Sequence, residues 1–172
     1  MKDGIVHDLD RRRVLAIVAL GALAVVAFLA ASPSAGGATR AGATVSLRKT
    51  ALGMVLVARD GHTLYLFGKD RNDRSACSGS CAHFWPPLLT PSKPIAGPGI
   101  KAALLGTTKR SDGKVQVTYA KHPLYTYMLD TRAGQTTGEG LTFFGGVWDA
   151  LSAKGAAVKK QAPSTSPYGY GH

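Results

Sequence analysis

Residues 62–70 read HTLYLFGKD and residues 122–130 read HPLYTYMLD. The two segments lie sixty residues apart and share His, Leu, Tyr and Asp at matching places, with Phe67 set against Tyr127. Carried backwards at the same shift, the comparison puts Val55 and Val57 on Val115 and Val117. Sixteen positions then hold six identities and one aromatic exchange without a gap. Such self-similarity marks an internal duplication. Each copy contains Tyr-x-(Phe/Tyr)-x-x-Asp: Tyr65, Phe67 and Asp70 in the first, and Tyr125, Tyr127 and Asp130 in the second. Residues two apart in a strand face the same way, so both rings of a copy share one face. The Asp lies beyond the strand end, where a carboxylate accepts backbone N–H groups and holds a turn. A second reading stands beside this one: a ligand site built from paired Tyr hydroxyls and Asp carboxylates.

Outward from the motifs the apolar pattern keeps a period of two. Val45 and Leu47 alternate with polar residues, and Met54–Val57 and His62–Phe67 flank Asp60-Gly61. Ala103–Thr108, Asp112-Gly113, Val115–Tyr119 and Pro123–Met128 repeat the arrangement. Asp-Gly pairs between β-rich runs mark tight hairpins, because both residues tolerate the positive φ such turns need. The pattern predicts an all-β, mainly antiparallel domain of two repeated β-hairpin units. Pro91–Gly99 (PSKPIAGPG) joins the copies and is too short to separate two domains, so both belong to one core. The chain divides into a signal or anchor (1–35), a linker and first strand (36–50), repeat 1 (51–99), repeat 2 (100–155) and a tail (156–172). That tail is rich in Pro, Ser, Gly and Tyr and is expected to be disordered.

The compartment is read from the amino end. Residues 14–31 (VLAIVALGALAVVAFLAA) hold no charge, follow Arg11, Arg12 and Arg13, and precede a small, Pro/Gly-broken stretch. This is the form of a secretory signal, although its length also reaches the ~18 residues of a minimal membrane span. The arginines keep the amino terminus inside, so everything beyond about residue 32 is expected outside. Ala35-Gly36-Gly37 has a small-x-small form suited to cleavage, and both a cleaved signal and an uncleaved N-terminal transmembrane helix stay open. The membrane, through residues 14–31, is thus the first expected partner.

The whole chain carries a net charge of +11, and residues 36–172 keep 17 Lys+Arg against 7 Asp+Glu. A basic exported surface favours anionic envelope polymers or lipids. Nucleic acid is not expected, because the basic residues are scattered and the address is extracytoplasmic. Charged residues make up 18% of the chain, below the usual ~25%, which argues against a long disordered polyelectrolyte.

The copies, DGHTLYLFGKDRNDRSACSGSCAHFWPPLLT and YAKHPLYTYMLDTRAGQTTGEGLTFFGGVWDAL, together resemble the bacterial secreted-repeat family, predicted lipoproteins with a Yx(FWY)xxD motif. The resemblance covers about residues 52–152, including Cys-x3-Cys-Ala, Trp-Pro-Pro-Leu, Pro-Leu-Tyr and Gly-Gly-x-Trp. It implies export and often lipid anchoring, with no established biochemical role. The chain departs from that pattern twice. No cysteine follows the apolar run to accept a lipid, and Asp149 stands after Trp148 where an aromatic residue is common in the family.

Cys77-Ser-Gly-Ser-Cys81 exists only in the first copy. An oxidising address favours a local disulfide, with Gly79 supplying the flexibility a small ring needs. The alternatives are a copper site of Cys77, Cys81 and His83, for which two thiolates and an imidazole are suitable, and a redox dithiol. Trp85 next to Pro86 and Pro87 suits the closing of one end of a small core, or an exposed aromatic platform. His62 and His122 are read as turn-edge residues or, less simply, as a metal-binding pair.

Gly-x-Ser-x-Gly, His-Glu-x-x-His, P-loop and dinucleotide motifs are missing. The glycine-rich GQTTGEG (134–140) precedes a β run rather than opening a helix and reads as a long turn, and Glu139 has no obvious acid/base partner. The expectation is a non-catalytic binding or structural module of the cell envelope without a cofactor. The alternative is a copper or thiol-redox protein using the cysteine loop.

Overall fold

The computed structural model describes residues 40–159. The apolar segment 14–31 and the signal or anchor assigned to 1–35 lie outside them. Among the described residues no helix is long and apolar enough to cross a membrane.

The fold is mostly β. Among the described residues it has nine strands, one short α-helix and a single 3-10 turn at Ala102–Leu104: β1 (Thr44–Thr50), β2 (Gly53–Ala58), β3 (Tyr65–Phe67), α1 (Ser80–Phe84), β4 (Ile95–Ala96), β5 (Leu105–Lys109), β6 (Val115–Tyr119), β7 (His122–Pro123), β8 (Leu141–Phe143) and β9 (Gly146–Ala150). They form three small sheets ordered β2-β1-β4, β3-β9-β8 and β5-β6-β7. All pairs are antiparallel except β1 with β4.

Two expectations about the repeat need correction. Each unit is a three-stranded meander rather than a two-stranded hairpin: β1, β2 and the run into β3 in one copy, and β5, β6 and the run through β7 in the other. The two Asp-Gly pairs therefore occupy different turns. Asp60-Gly61 lies between the second and third strands, whereas Asp112-Gly113 joins the first and second. The turn matching Asp60-Gly61 is made by Ala120 and Lys121, both non-glycine residues at positive φ (47° and 70°).

The gapless shift of sixty also fails before that turn. In the first copy Ala58 pairs with His62 and Val57 with Thr63 across three turn residues. In the second, Tyr119 pairs with His122 across two. The structural partner of Val117 is consequently Leu56, and these two share one core cluster. A slip of one residue would send every side chain of the strand to the opposite face.

β2 from Val55 onward and β3 are buried on both faces, which explains why these runs are nearly continuous in apolar residues. Val55, Val57, Tyr65, Phe67 and Tyr125 enter an aromatic core cluster with Trp85, Trp148 and both cysteines. Their neighbours Leu56, Ala58, Leu64, Leu66 and Leu124 enter an aliphatic cluster with Val45, Val117 and Leu151. The copies are joined at the backbone where Tyr65 and Tyr125 exchange both N–H···O bonds, at 2.8 and 3.1 Å.

Two boundaries also move. Pro91–Gly99 is more than a link, since its Ile95–Ala96 adds a parallel strand to β1. The tail expected to be loose from residue 156 is in place to residue 159. Val158 N–H donates to the Ala150 carbonyl at 2.8 Å, and Lys159 Nζ reaches Asp149 at 2.9 Å. Residues 160–172 lie outside the described part.

Candidate functional site

The motif tyrosines cross over. Tyr65 donates its hydroxyl to Asp130 Oδ2 at 2.6 Å, and Tyr125 donates to Asp70 Oδ2 at 2.9 Å. Each tyrosine is therefore held by the aspartate of the other copy. The second oxygen of each carboxylate ties down the loop that follows it. Asp70 Oδ1 accepts the Ala76 N–H at 2.8 Å, and Asp130 Oδ1 accepts Thr137 N–H and hydroxyl at 2.9 and 2.6 Å. Every carboxylate oxygen of the two motifs thus accepts a hydrogen bond. The paired hydroxyls and carboxylates that form the ligand-site alternative are turned toward each other.

Burial sets the electrostatics. It pushes both tyrosine hydroxyls far above their usual range, and the facing carboxylates add to the rise. Burial also pushes the Asp70 carboxyl up to about 6, against the hydrogen bonds from Ala76 and Tyr125. Glu139 is raised by burial as well, while its Oε2 accepts the Ala150 N–H at 2.7 Å. That bond gives Glu139 a partner in β9.

Between the two motifs four rings form a stack. Phe67 lies on Trp148 (centroids 4.1 Å apart), Trp148 on Trp85 (3.9 Å), and Trp85 on Tyr127 (4.2 Å). Tyr65 meets Trp85 edge-on and Tyr125 meets Trp148 edge-on, geometries that suit the aromatic quadrupole. The stack is close to two-fold symmetric. Phe67 and Tyr127 hold equivalent places, and each covers the tryptophan of the other copy. Trp85 is fully buried at the middle of the stack, so the reading of it as an end-cap or an exposed platform is overturned. Gly138 of the long turn lies against this centre. A Cβ there would come within 2.8 Å of the Trp85 ring, so the close approach requires glycine.

Cys77 and Cys81 are joined as a disulfide and are 1% and 6% exposed. The bridge closes the turn that starts α1, and Trp85 N–H, at the end of that helix, donates to the Cys81 carbonyl at 2.8 Å. The cysteine loop thereby positions Trp85. His83 is exposed and lies edge-on to Phe84. His62 pairs with Asp60 at 3.0 Å, and His122 is half-buried, which lowers its basicity. Among the described residues no three His, Cys, Asp or Glu side chains converge on a point that could hold a metal.

Sequence reasoning missed Arg110. It is 6% exposed and donates to Ser75 Oγ (2.8 Å), Gln116 Oε1 (2.7 Å) and the Cys77 carbonyl (2.8 Å). The Ser75 hydroxyl also lies 2.8 Å from the Tyr125 hydroxyl oxygen, which accepts from it, so Arg110 extends the Asp70–Tyr125 pair into the cysteine loop. Its position two residues before Asp112, at the mouth of a hairpin, carries no signal of burial. Asp149, the departure from the family pattern, is buried in β9 opposite Leu66 and is neutralised by Lys159.

No curated protein and no solved structure matches the chain. The family model described as a secreted repeat of unknown function matches twice, at residues 46–89 and 106–152, one match for each meander and the loop that follows it. The chain belongs to this family of extracytoplasmic secreted repeats and carries two copies of the unit.

Proposed function

We propose that this protein is a non-catalytic binding or structural module of the bacterial cell envelope, held at the outer face of the membrane by residues 14–31 and facing anionic polymers or lipids. The observation that carries this reading is the reciprocal Tyr–Asp exchange. It engages the motif in joining the two copies and leaves contact with partners to the basic surface. Residues 36–172 carry 17 Lys+Arg against 7 Asp+Glu, a surplus that attracts anionic neighbours at close range. The copper and thiol-redox alternative ranks second because both sulfurs are bonded to each other inside the core.

Fractionation of cells expressing the full chain tests the reading. Protein accessible to external protease, retained through a ~1 M salt wash that screens charge to a few ångströms, and released only by detergent fits the anchored form. Release by salt alone fits a cleaved form held by anionic polymer. A protease-protected cytosolic pool overturns the proposal.

A further inference from the structure

The basic residues are scattered along the sequence, but the fold gathers three of them at one cleft. Arg74, Lys109 and Arg110 line a concavity of about 530 Å³ together with the hydroxyl-bearing Ser75, Thr108 and Ser111. These residues come from both copies. Arg74 and Ser75 belong to the loop after Asp70, and the other four to the end of β5 and the turn beyond it. The volume lies within the ~300–1,000 Å³ usual for small-ligand sites. The lining holds three cations and three hydroxyls, with neither a carboxylate nor a large apolar side chain among them. Such a surface suits a hydrated anion and gives an apolar ring nothing to pack against.

We infer that this cleft is a binding site for a phosphate ester, the anionic group shared by phospholipid headgroups and phosphodiester envelope polymers. This rests on the reading of the protein as an envelope-binding module and names the place where the anion is held. Three features support it. The Arg110 guanidinium is already fixed by Ser75, Gln116 and the Cys77 carbonyl, so its charge is in place before any ligand arrives. Fixing a charge in advance removes the ordering cost that weakens most surface ion pairs. Arg74 and Lys109 are exposed and free to close on the ligand from two sides, and the Thr108 and Ser111 hydroxyls add neutral donors for the remaining oxygens.

The opposing charges are few. Asp112, outside the lining, pairs with Arg110 Nε at a long 3.6 Å and has its Oδ1 bound by the Lys114 N–H. Asp70, which lies within range of the Arg110 charge, is occupied by Tyr125 and Ala76. The cleft keeps a net positive charge.

The test uses the full chain in neutral-detergent micelles, titrated calorimetrically with three probes: inorganic phosphate, poly(glycerol phosphate), and micelles doped with phosphatidylglycerol. The doubly substituted Arg74→Ala/Lys109→Ala protein is compared with a Lys49→Ala/Lys154→Ala control, which removes the same charge from exposed positions outside the lining. All four side chains are exposed, so folding is preserved. Binding of at least one probe is expected to weaken tenfold or more in the cleft variant and less than twofold in the control. The probe that shows this difference identifies the source of the phosphate. Equal weakening in both variants overturns the cleft while leaving a generally anion-attracted envelope protein. Absence of binding by the wild type to all three probes overturns the cleft together with the reading of anionic partners.

Discussion

The Tyr65 hydroxyl, in the first repeat, lies 2.6 Å from Oδ2 of Asp130, in the second. Its counterpart, Tyr125 with Asp70, runs the other way at 2.9 Å. The motif is thus written within each copy and completed between copies. The two pairs differ in surroundings, because Asp130 is 2% exposed whereas Asp70 is only partly covered.

That difference sets the expected cost of losing each hydroxyl. Tyr65→Phe leaves a buried carboxylate oxygen without its donor and is expected to destabilise by about 1.5–3 kcal/mol, the range for hydrogen bonds to charged groups. Tyr125→Phe should cost less, since water reaches Asp70. Urea denaturation of both variants measures this, and an unchanged midpoint for Tyr65→Phe would contradict the account.

Asp70 makes stability depend on pH. Its carboxyl sits at about 6 in the fold against an ordinary 3.8, so the folded protein holds the extra proton between those values. Its stabilising contribution is complete below about pH 4 and is lost as pH rises through 6. Partial solvent access limits the effect to about 1–2 kcal/mol. Asp112, lowered by the Lys114 N–H, and Asp60, where hydrogen bonds from His62 outweigh the effect of burial, act in the opposite sense. Both are common to the wild type and Asp70→Asn, so the difference between their melting-temperature curves isolates Asp70. The wild-type curve is expected to fall more steeply from pH 4 to 7; parallel curves would reject the assignment.

The disulfide predicts a thiol count. Ellman titration in denaturant should find no thiols before reduction and two after it, since the chain has two cysteines. Cys77→Ser/Cys81→Ser is expected to lose about 2 kcal/mol, the chain-entropy value for so short a ring. Two free thiols in the purified native protein would revive the copper reading.

Trp85 and Trp148 are the only tryptophans, and their rings are parallel within 3° at 3.9 Å. Stacked indoles at this distance couple their transitions, so circular dichroism near the indole bands should show a paired positive and negative signal. Trp85→Phe and Trp148→Phe should each abolish the whole couplet rather than half of it. Survival of the couplet in either variant would place the rings elsewhere.

Much of this fold is readable in the sequence because strand geometry writes itself into alternation. Tyr65 with Phe67, and Leu64 with Leu66, fall on opposite faces as a period of two requires. The aspartates are also legible as loop anchors from their place past the strand end. The crossed pairing is not, because both copies carry the same residues and nothing local states which Asp a given Tyr will meet. The one-residue slip is hidden for a related reason. Valine recurs at both registers, and only the lengths of the turns, three residues against two, separate them. Arg110 gives no sign of burial, since its three partners come from the cysteine loop and the strand beyond the hairpin. Trp85 reads as an end-piece beside two prolines, and its central place follows only once Trp148 arrives from the other copy.

The crossed pairs have a consequence for how such repeats can be counted. A unit taken alone would carry an aspartate with no tyrosine to receive and a tyrosine with no acceptor, and both faces of its indole would be bare. It would satisfy these groups only by meeting a second copy, as a homodimer does across a two-fold axis. This chain is in effect such a dimer made covalent by Pro91–Gly99. The arrangement favours even numbers: two units close on each other completely, and a third would have no unpaired partner to join.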